Sequence, residues 1–306
     1  MFYRSFALLS SIFLIAAAQT APDAPVTDIR VESTLVLIPV TVTDPTNRYV
    51  LGLDKQDFRV YEDDSEQKIK QFSGEDAPLS VGLVLDTSGS MGDKMDISRR
   101  AISEFLKTMN PADEAFLVEF NDRAELKSNF THDPDQLLSK MSTTASNGMT
   151  ALFDAMYLGV KQMKKASNPR KALVIVSDGG DNNSAFSAKE VLDLVRDADV
   201  QIYAMGVFEP LSGFGLSAAE LAGPKLLSGI AAQTGGRAFG TSKIQELPDI
   251  ASRIGIELRN QYVLAYTPTD QKKDGKYRKV DVKLKQPDGL PELKARWRSG
   301  YYAPVQ

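Results

Sequence analysis

The sequence predicts an α/β fold, a doubly wound and mostly parallel sheet inserted in a small antiparallel β-sandwich that the N- and C-terminal segments build together. Three observations carry this. From residue 79 the chain alternates short strands of branched residues with amphipathic helices, the rhythm of parallel strands joined by crossover helices. On either side of that stretch, residues 35–72 and 262–297 alternate apolar and polar positions with period two. Each flank is too small to fold alone, whereas five or six strands together close a sandwich core.

Composition and the first residues narrow the setting. The 306 residues are 42% hydrophobic and 25% charged, which suits one large or two modest domains and argues against disorder. Residues 1–18 combine Arg4, an apolar run from Phe6, and Ala16, Ala17 and Ala18, the three parts of a secretory signal peptide cleaved after Ala18. An uncleaved anchor is the alternative, but the run is shorter than the ~20 residues a bilayer span needs. No later segment is suited to crossing a membrane. Without cysteine there is neither a lipid-modified N-terminal Cys nor a disulfide framework, so a periplasmic or secreted bacterial product stabilised by packing fits best. The net charge of -4 is spread along the chain without a basic stripe, which excludes nucleic acid as the main partner.

Residues 19–30 read as a linker, and residues 31–76 as the N-terminal part of the sandwich. Val36, Ile38, Val40 and Val42 mark a first strand, whose Pro39 suggests a sheet edge. A turn at 44–47 leads to a second strand at Phe58, Val60 and Tyr61. The acidic Glu62, Asp63 and Asp64 that follow are read as a solvated hairpin turn in preference to a calcium site, and Ile69 and Phe72 mark a third strand.

The inserted α/β domain spans 77–260. Its strands are expected at 81–85, 116–120, 173–176 and 202–207, each a short buried run. Ile97, Ala101, Phe105 and Met109 stripe the first helix, and Leu137, Leu138 and Met141 a short second one. Leu152, Met156, Val160 and Met163 stripe the third, residues 191–198 form the fourth, and Leu247, Ile250, Ile254 and Leu258 face the core from the last. Residues 209–223, rich in Gly, Ser and Ala, read as a loop with room for one helical turn, either part of a site's rim or a plain surface insertion. Pro224 then opens a helix carrying Leu227, Ile230 and Ala231, which stops at Gly235 and Gly236 before a short strand at Ala238 and Phe239. The C-terminal part of the sandwich, 261–303, has strands at Tyr262, Leu264 and Tyr266, at Val280, Val282 and Leu284, and at Leu293, Ala295 and Trp297. Asp274-Gly275 and Asp288-Gly289 mark the turns between them.

Chemistry concentrates after the strand at 81–85. Asp86, Ser88 and Ser90 alternate along a turn bent at Gly89 and Gly92, so three oxygen-bearing side chains can converge on one point. This D-x-S-x-S pattern resembles the first loop of the metal-ion-dependent adhesion site (MIDAS) of von Willebrand factor A (VWA) domains, whose sheet is Rossmann-like. Two further segments carry the resemblance. Residues 147–155, NGMTALFDA, are similar to the family's G-x-T-x-L-x-D-A, which places Thr150 in the second loop. Residues 174–182, VIVSDGGDN, are similar to its strand followed by T-D-G-x-D-N, with Ser177 in place of Thr and Asp178 as the third-loop carboxylate.

The resemblance implies that Ser88, Ser90 and Thr150 ligate a metal directly, with Asp86 and Asp178 bonding through water or exchanging with it, while Asp181 and Asn182 shape the third loop. Hydroxyl and carboxylate oxygens without His or Cys select a hard ion, Mg²⁺ first, with Mn²⁺ or Ca²⁺ as alternatives. Neutral ligands leave the ion electron-poor with one position open, which an exposed Asp or Glu of a partner protein completes. That is binding without chemistry, an adhesion or interaction module. The layout after residue 30 also resembles a bacterial family of exported VWA-related proteins. The matching pieces are the Val-rich strand ending at Asp44, DFRVYED at 57–63, YVLAYTP at 262–268 and GYY at 300–302.

Other readings are weaker on the residues. Aspartyl-phosphate chemistry wants a second Asp two residues after the first, and Ser88 stands there. A Ser/His/Asp hydrolase lacks the G-x-S-x-G setting, and the single histidine, His132, lies in a turn. A metal-independent scaffold binding through the sandwich edge is the main alternative, and hydroxyls that merely cap turns are the bland one.

Overall fold

The computed structural model describes residues 35–305 except 75, 142–144, 179, 208–217, 287–288 and 290. The expected signal peptide and linker, most of the 209–223 loop and Asp288 lie outside the described residues. In chain order the N-terminal flank forms β1 (Val36–Thr43), β2 (Phe58–Glu62), β3 (Ser65–Gln67) and β4 (Ile69–Ser73). The inserted unit opens with β5 (Leu79–Asp86), α1 (Met95–Leu106), β6 (Glu114–Phe120), β7 (Ala124–Thr131), α2 (Pro134–Met141) and α3 (Leu152–Met163). It continues with β8 (Arg170–Val176), α4 (Ala188–Asp197), β9 (Gln201–Val207), α5 (Ala218–Gln233), β10 (Ala238–Thr241) and α6 (Leu247–Arg259). The C-terminal flank adds β11 (Gln261–Tyr266), β12 (Tyr277–Leu284), β13 (Lys294–Arg296) and β14 (Gly300–Tyr302).

The inserted unit is built on a six-stranded sheet of order β10-β9-β8-β5-β6-β7, parallel throughout except for β7. β5 lies inside it, and all eight of its residues are buried because helices cover both faces. Leu79, Val81, Leu83 and Leu85 pack with Ile102 and Phe105 of α1 and Ile250 and Ile254 of α6. Val84 faces the other way, toward Met156 and Val160 of α3. Gly82 shares that second face, where Leu173 and Phe116 leave no room for a side chain. The α4 start is set by a reciprocal cap, Ser187 with Glu190.

The flanks pair with each other. β13-β1-β11-β4 and β14-β12-β2-β3 are two four-stranded antiparallel sheets, and each draws strands from both ends of the chain. Their inner faces meet through Ile38, Val40, Phe58, Val60, Tyr262, Leu264 and Val282. Eight strands therefore close the core where five or six were expected, since β3 and β14 are too short to show an alternation.

Four further expectations need correction. β1 is not an outer strand, because it pairs with β11 on one side and β13 on the other. β13 reaches only Thr41, Val42 and Thr43, so Pro39 meets no partner on that side and its missing N–H is harmless there. Only Asp63 and Asp64 form the hairpin turn, both at positive φ, whereas Glu62 is buried and accepts hydrogen bonds from the Tyr266 and Tyr301 hydroxyls at 2.7 and 2.8 Å. α5 begins at Ala218 and holds Pro224 inside it, because the Ala- and Leu-containing turn before the proline is itself a good helix former. β7 was not anticipated. Its Ala124, Leu126 and Phe130 alternate toward the core, but the residues between them are polar and the strand lies at the sheet's edge.

The sandwich meets the inserted unit at the end of the central sheet where the parallel strands begin. Arg170, the buried first residue of β8, donates to Ala77 O at 2.8 Å and to Gln261 Oε1 at 3.2 Å. Glu257 of α6 is fully buried, accepts from the Tyr203 hydroxyl at 3.0 Å and pairs with Arg296 of β13. The strands' C-terminal tips lie at the opposite end.

Candidate functional site

β5 ends at Asp86, which is fully buried at the C-terminal tip of the sheet. The chain leaves the strand along β6, where the Thr87 N–H and hydroxyl both donate to Phe120 O, at 2.7 and 3.0 Å. Ser88 N–H then turns back onto Asp86 Oδ1 at 2.9 Å. A short 3-10 turn, Gly89–Lys94, leads into α1 and is pinned to the core by buried Met91. The Ser88 and Ser90 hydroxyl oxygens are left 3.1 Å apart.

The second loop docks on the first. Gly89 N–H donates to Gly148 O at 3.0 Å and Asn147 N–H to Thr87 O at 2.9 Å. Gly148 has φ +79 and abuts the Asp122 carboxylate, a position only glycine fills without strain. Met149 N–H donates to Asp122 Oδ1 at 2.7 Å, and Thr150 follows, buried, at the start of α3.

The third loop closes the set. Ser177 donates to Asp86 Oδ2 at 2.6 Å. Asn182 Oδ1 accepts from Thr150 N–H at 2.9 Å, and Asp181 Oδ1 from Ser184 Oγ at 2.5 Å and Phe153 N–H at 3.2 Å. Asp154, from the second motif, accepts the N–H groups of Ala185 and Phe186 at 2.9 and 3.0 Å. Asp178 is paired at 2.9 Å with Lys94, a residue the motif comparison did not single out. Its position on the same short turn as Ser90 was the available signal.

Burial is the main cause that pushes Asp86 up to about 6; the hydrogen bonds from Ser177 and Ser88 oppose it, and the nearby Asp178 charge adds to it. Six oxygens at roughly 2.1 Å around Mg²⁺ place adjacent ligands about 3.0 Å apart, and the Ser88 and Ser90 oxygens have that spacing. The two hydroxyls share a hydrogen bond at that distance, and the same spacing is compatible with adjacent ligands of a hard cation. Among the described residues no group of three His, Cys, Asp or Glu side chains assembles. His132 lies at the other end of the sheet, exposed, with Nδ1 2.6 Å from Asp113 O.

Residues 81–180 match the family model of the von Willebrand factor type A domain. The inserted unit has the von Willebrand factor type A fold. No curated protein matches the chain. Among solved structures it is similar to the conserved hypothetical protein BatB from Bacteroides thetaiotaomicron, with 15% identity over 59% of this chain and 98% of that one and a TM-score of 0.48. The vWF domain of the type V pili tip protein Mfa5 from Porphyromonas gingivalis is 15% identical over 59% of this chain and 96% of its own, with a TM-score of 0.46. A mutant PilB minor pilin from Streptococcus sanguinis is 14% identical over 60% of this chain and 62% of its own, with a TM-score of 0.47. The match to the family model covers the VWA unit from β5 to the third loop, and the sandwich lies outside it.

Proposed function

We propose that this chain is an exported protein-binding module whose VWA unit holds a divalent cation, Mg²⁺ before Mn²⁺ or Ca²⁺, that an acidic side chain of a partner protein completes. Ser88, Ser90 and Thr150 are the direct ligands, and Asp86 and Asp178 act through water. The observation that supports this best is the pair of hydroxyls 3.1 Å apart at the tip of a buried strand, on loops tied to one another by backbone and side-chain hydrogen bonds. Neutral ligands keep the ion's charge available to an anionic partner, and no bond is broken. Calorimetric titration with Mg²⁺, Mn²⁺ and Ca²⁺ tests it. Saturable binding is expected in the wild type and is lost in Ser88→Ala and Thr150→Ala, and a folded wild type that takes up none of the three ions overturns it.

Export rests on residues 1–18, and the mature periplasmic or secreted protein is expected to begin at Gln19. Intact-mass measurement of the exported product checks this. A second reading, metal-independent binding by strand addition, is favoured by β4, an outer strand beside a groove lined by Phe58, Ile69 and Phe72. Partner capture that survives both chelation and Ser88→Ala would select it.

A further inference from the structure

Lys94 ends the short turn that carries Ser90, and its ammonium lies 2.9 Å from Asp178 Oδ2. The pair links the first loop to the third. Both side chains are largely enclosed, 20% and 14% exposed, so solvent ions screen the pair much less than they would a surface one. A lysine is an unusual neighbour for a cation site, because it brings to one of the site's carboxylates the same sign of charge as the ion.

We propose that Lys94 is a tethered competitor of the metal, holding the Asp178 carboxylate in the metal-free protein and surrendering it when a divalent ion arrives. The inference rests on the metal-binding reading of the same loops. A dication beside the ammonium meets twice the repulsion that a monovalent ion meets, but it also gains twice the attraction to every carboxylate and hydroxyl dipole of the three loops. A monovalent ion has no such advantage over an ammonium already in contact and attached to the chain. Lys94 therefore sets a threshold that favours small dications over Na⁺ or K⁺. Its four-carbon stem allows the head group to swing into solvent once displaced, which a shorter or stiffer cation would not allow. Lys94 is thus a positioning and selectivity residue and not a ligand.

The test is titration of the mature protein with MnCl₂ and with MgCl₂, comparing wild type, Lys94→Met, Lys94→Arg and Ser88→Ala, with thermal melting in chelator to establish that each variant is folded. Methionine keeps an apolar stem and removes the charge, and Lys94→Gln is the substitute if it does not fold. Lys94→Met is expected to bind Mn²⁺ about tenfold more tightly than wild type, Lys94→Arg within a few-fold of wild type, and Ser88→Ala not at all. A purely structural role for Lys94 predicts the opposite, weaker binding on its loss. Wild-type binding with Lys94→Met no tighter overturns the inference and leaves the metal reading standing. Binding by Lys94→Met alone overturns both, because a lysine that never surrenders Asp178 leaves the wild type without an ion, and absence of binding in both proteins overturns them as well.

Discussion

The Ser177 hydroxyl donates to Asp86 Oδ2 at 2.6 Å, joining the tips of β8 and β5 across the centre of the parallel sheet. The bond offsets only part of what burial costs the Asp86 carboxylate, which remains pushed up to about 6. Because the folded state binds this proton more tightly than the unfolded chain, the associated stability is fully present below pH ~4 and is lost as pH rises through about 6. In metal-free buffer, urea midpoints should fall across that window by the equivalent of roughly 2–3 kcal/mol, and Asp86→Asn should flatten the slope. Added Mg²⁺ should restore stability above pH 6 and have little effect at pH 4.5, where protonated Asp86 no longer attracts it.

Asp154 acts on the third loop through the N–H groups of Ala185 and Phe186. Asp154→Ala leaves both donors without that partner and should cost about 1–3 kcal/mol in urea unfolding. Calorimetry should also show weakened cation binding in this variant, although Asp154 is no ligand. Unchanged affinity would mean that the loop keeps its shape without this carboxylate.

At the other end of the molecule, Glu257 has no solvent exposure and is paired with Arg296. Glu257→Ala leaves the buried Tyr203 hydroxyl without its acceptor, while Arg296, 28% exposed, can turn to water, so the variant should lose about 1–3 kcal/mol in chemical denaturation. Limited proteolysis should then cut first between the sandwich and the VWA unit. A loss under 1 kcal/mol would show that the Tyr203 hydroxyl finds another acceptor.

Gly82 gives a packing test away from any charge. A methyl there would sit 2.2 Å from Leu173 Cδ2 and 2.3 Å from Phe116 Cζ, both inside a sheet covered on each face. Gly82→Ala should destabilise by about 1–3 kcal/mol through overpacking, and cation binding by the folded fraction should be unaltered.

Much of this was legible because it depends on local chemistry. A strand buried on both faces has to be continuously apolar, so β5 and β8 announce themselves, and helices packed on one side carry stripes such as Leu247, Ile250, Ile254 and Leu258. The residues of the three loops could be named because each loop follows such a strand or opens such a helix. What stayed hidden depends on contacts distant in sequence. Glu62 looks like part of an acidic turn until Tyr266 and Tyr301 arrive to hydrogen-bond it, and Lys94 looks like a solvated helix start until Asp178 arrives from the third loop. Pro39 points to a sheet edge by rule, yet the short reach of β13 makes an inner strand tolerate it.

The stitching of both sandwich sheets from opposite ends of the chain has a consequence for synthesis. Thr41 finds its partner Gln261 only 220 residues later, whereas β5 and β6 are joined by a single helix. A chain emerging N-terminus first therefore has the VWA unit to fold while β1 and β4, whose partner strands all lie in the C-terminal flank, wait as unpaired, aggregation-prone strands. The last residues out are the ones that seal the first, so any truncated product carries open strands that a protease can find.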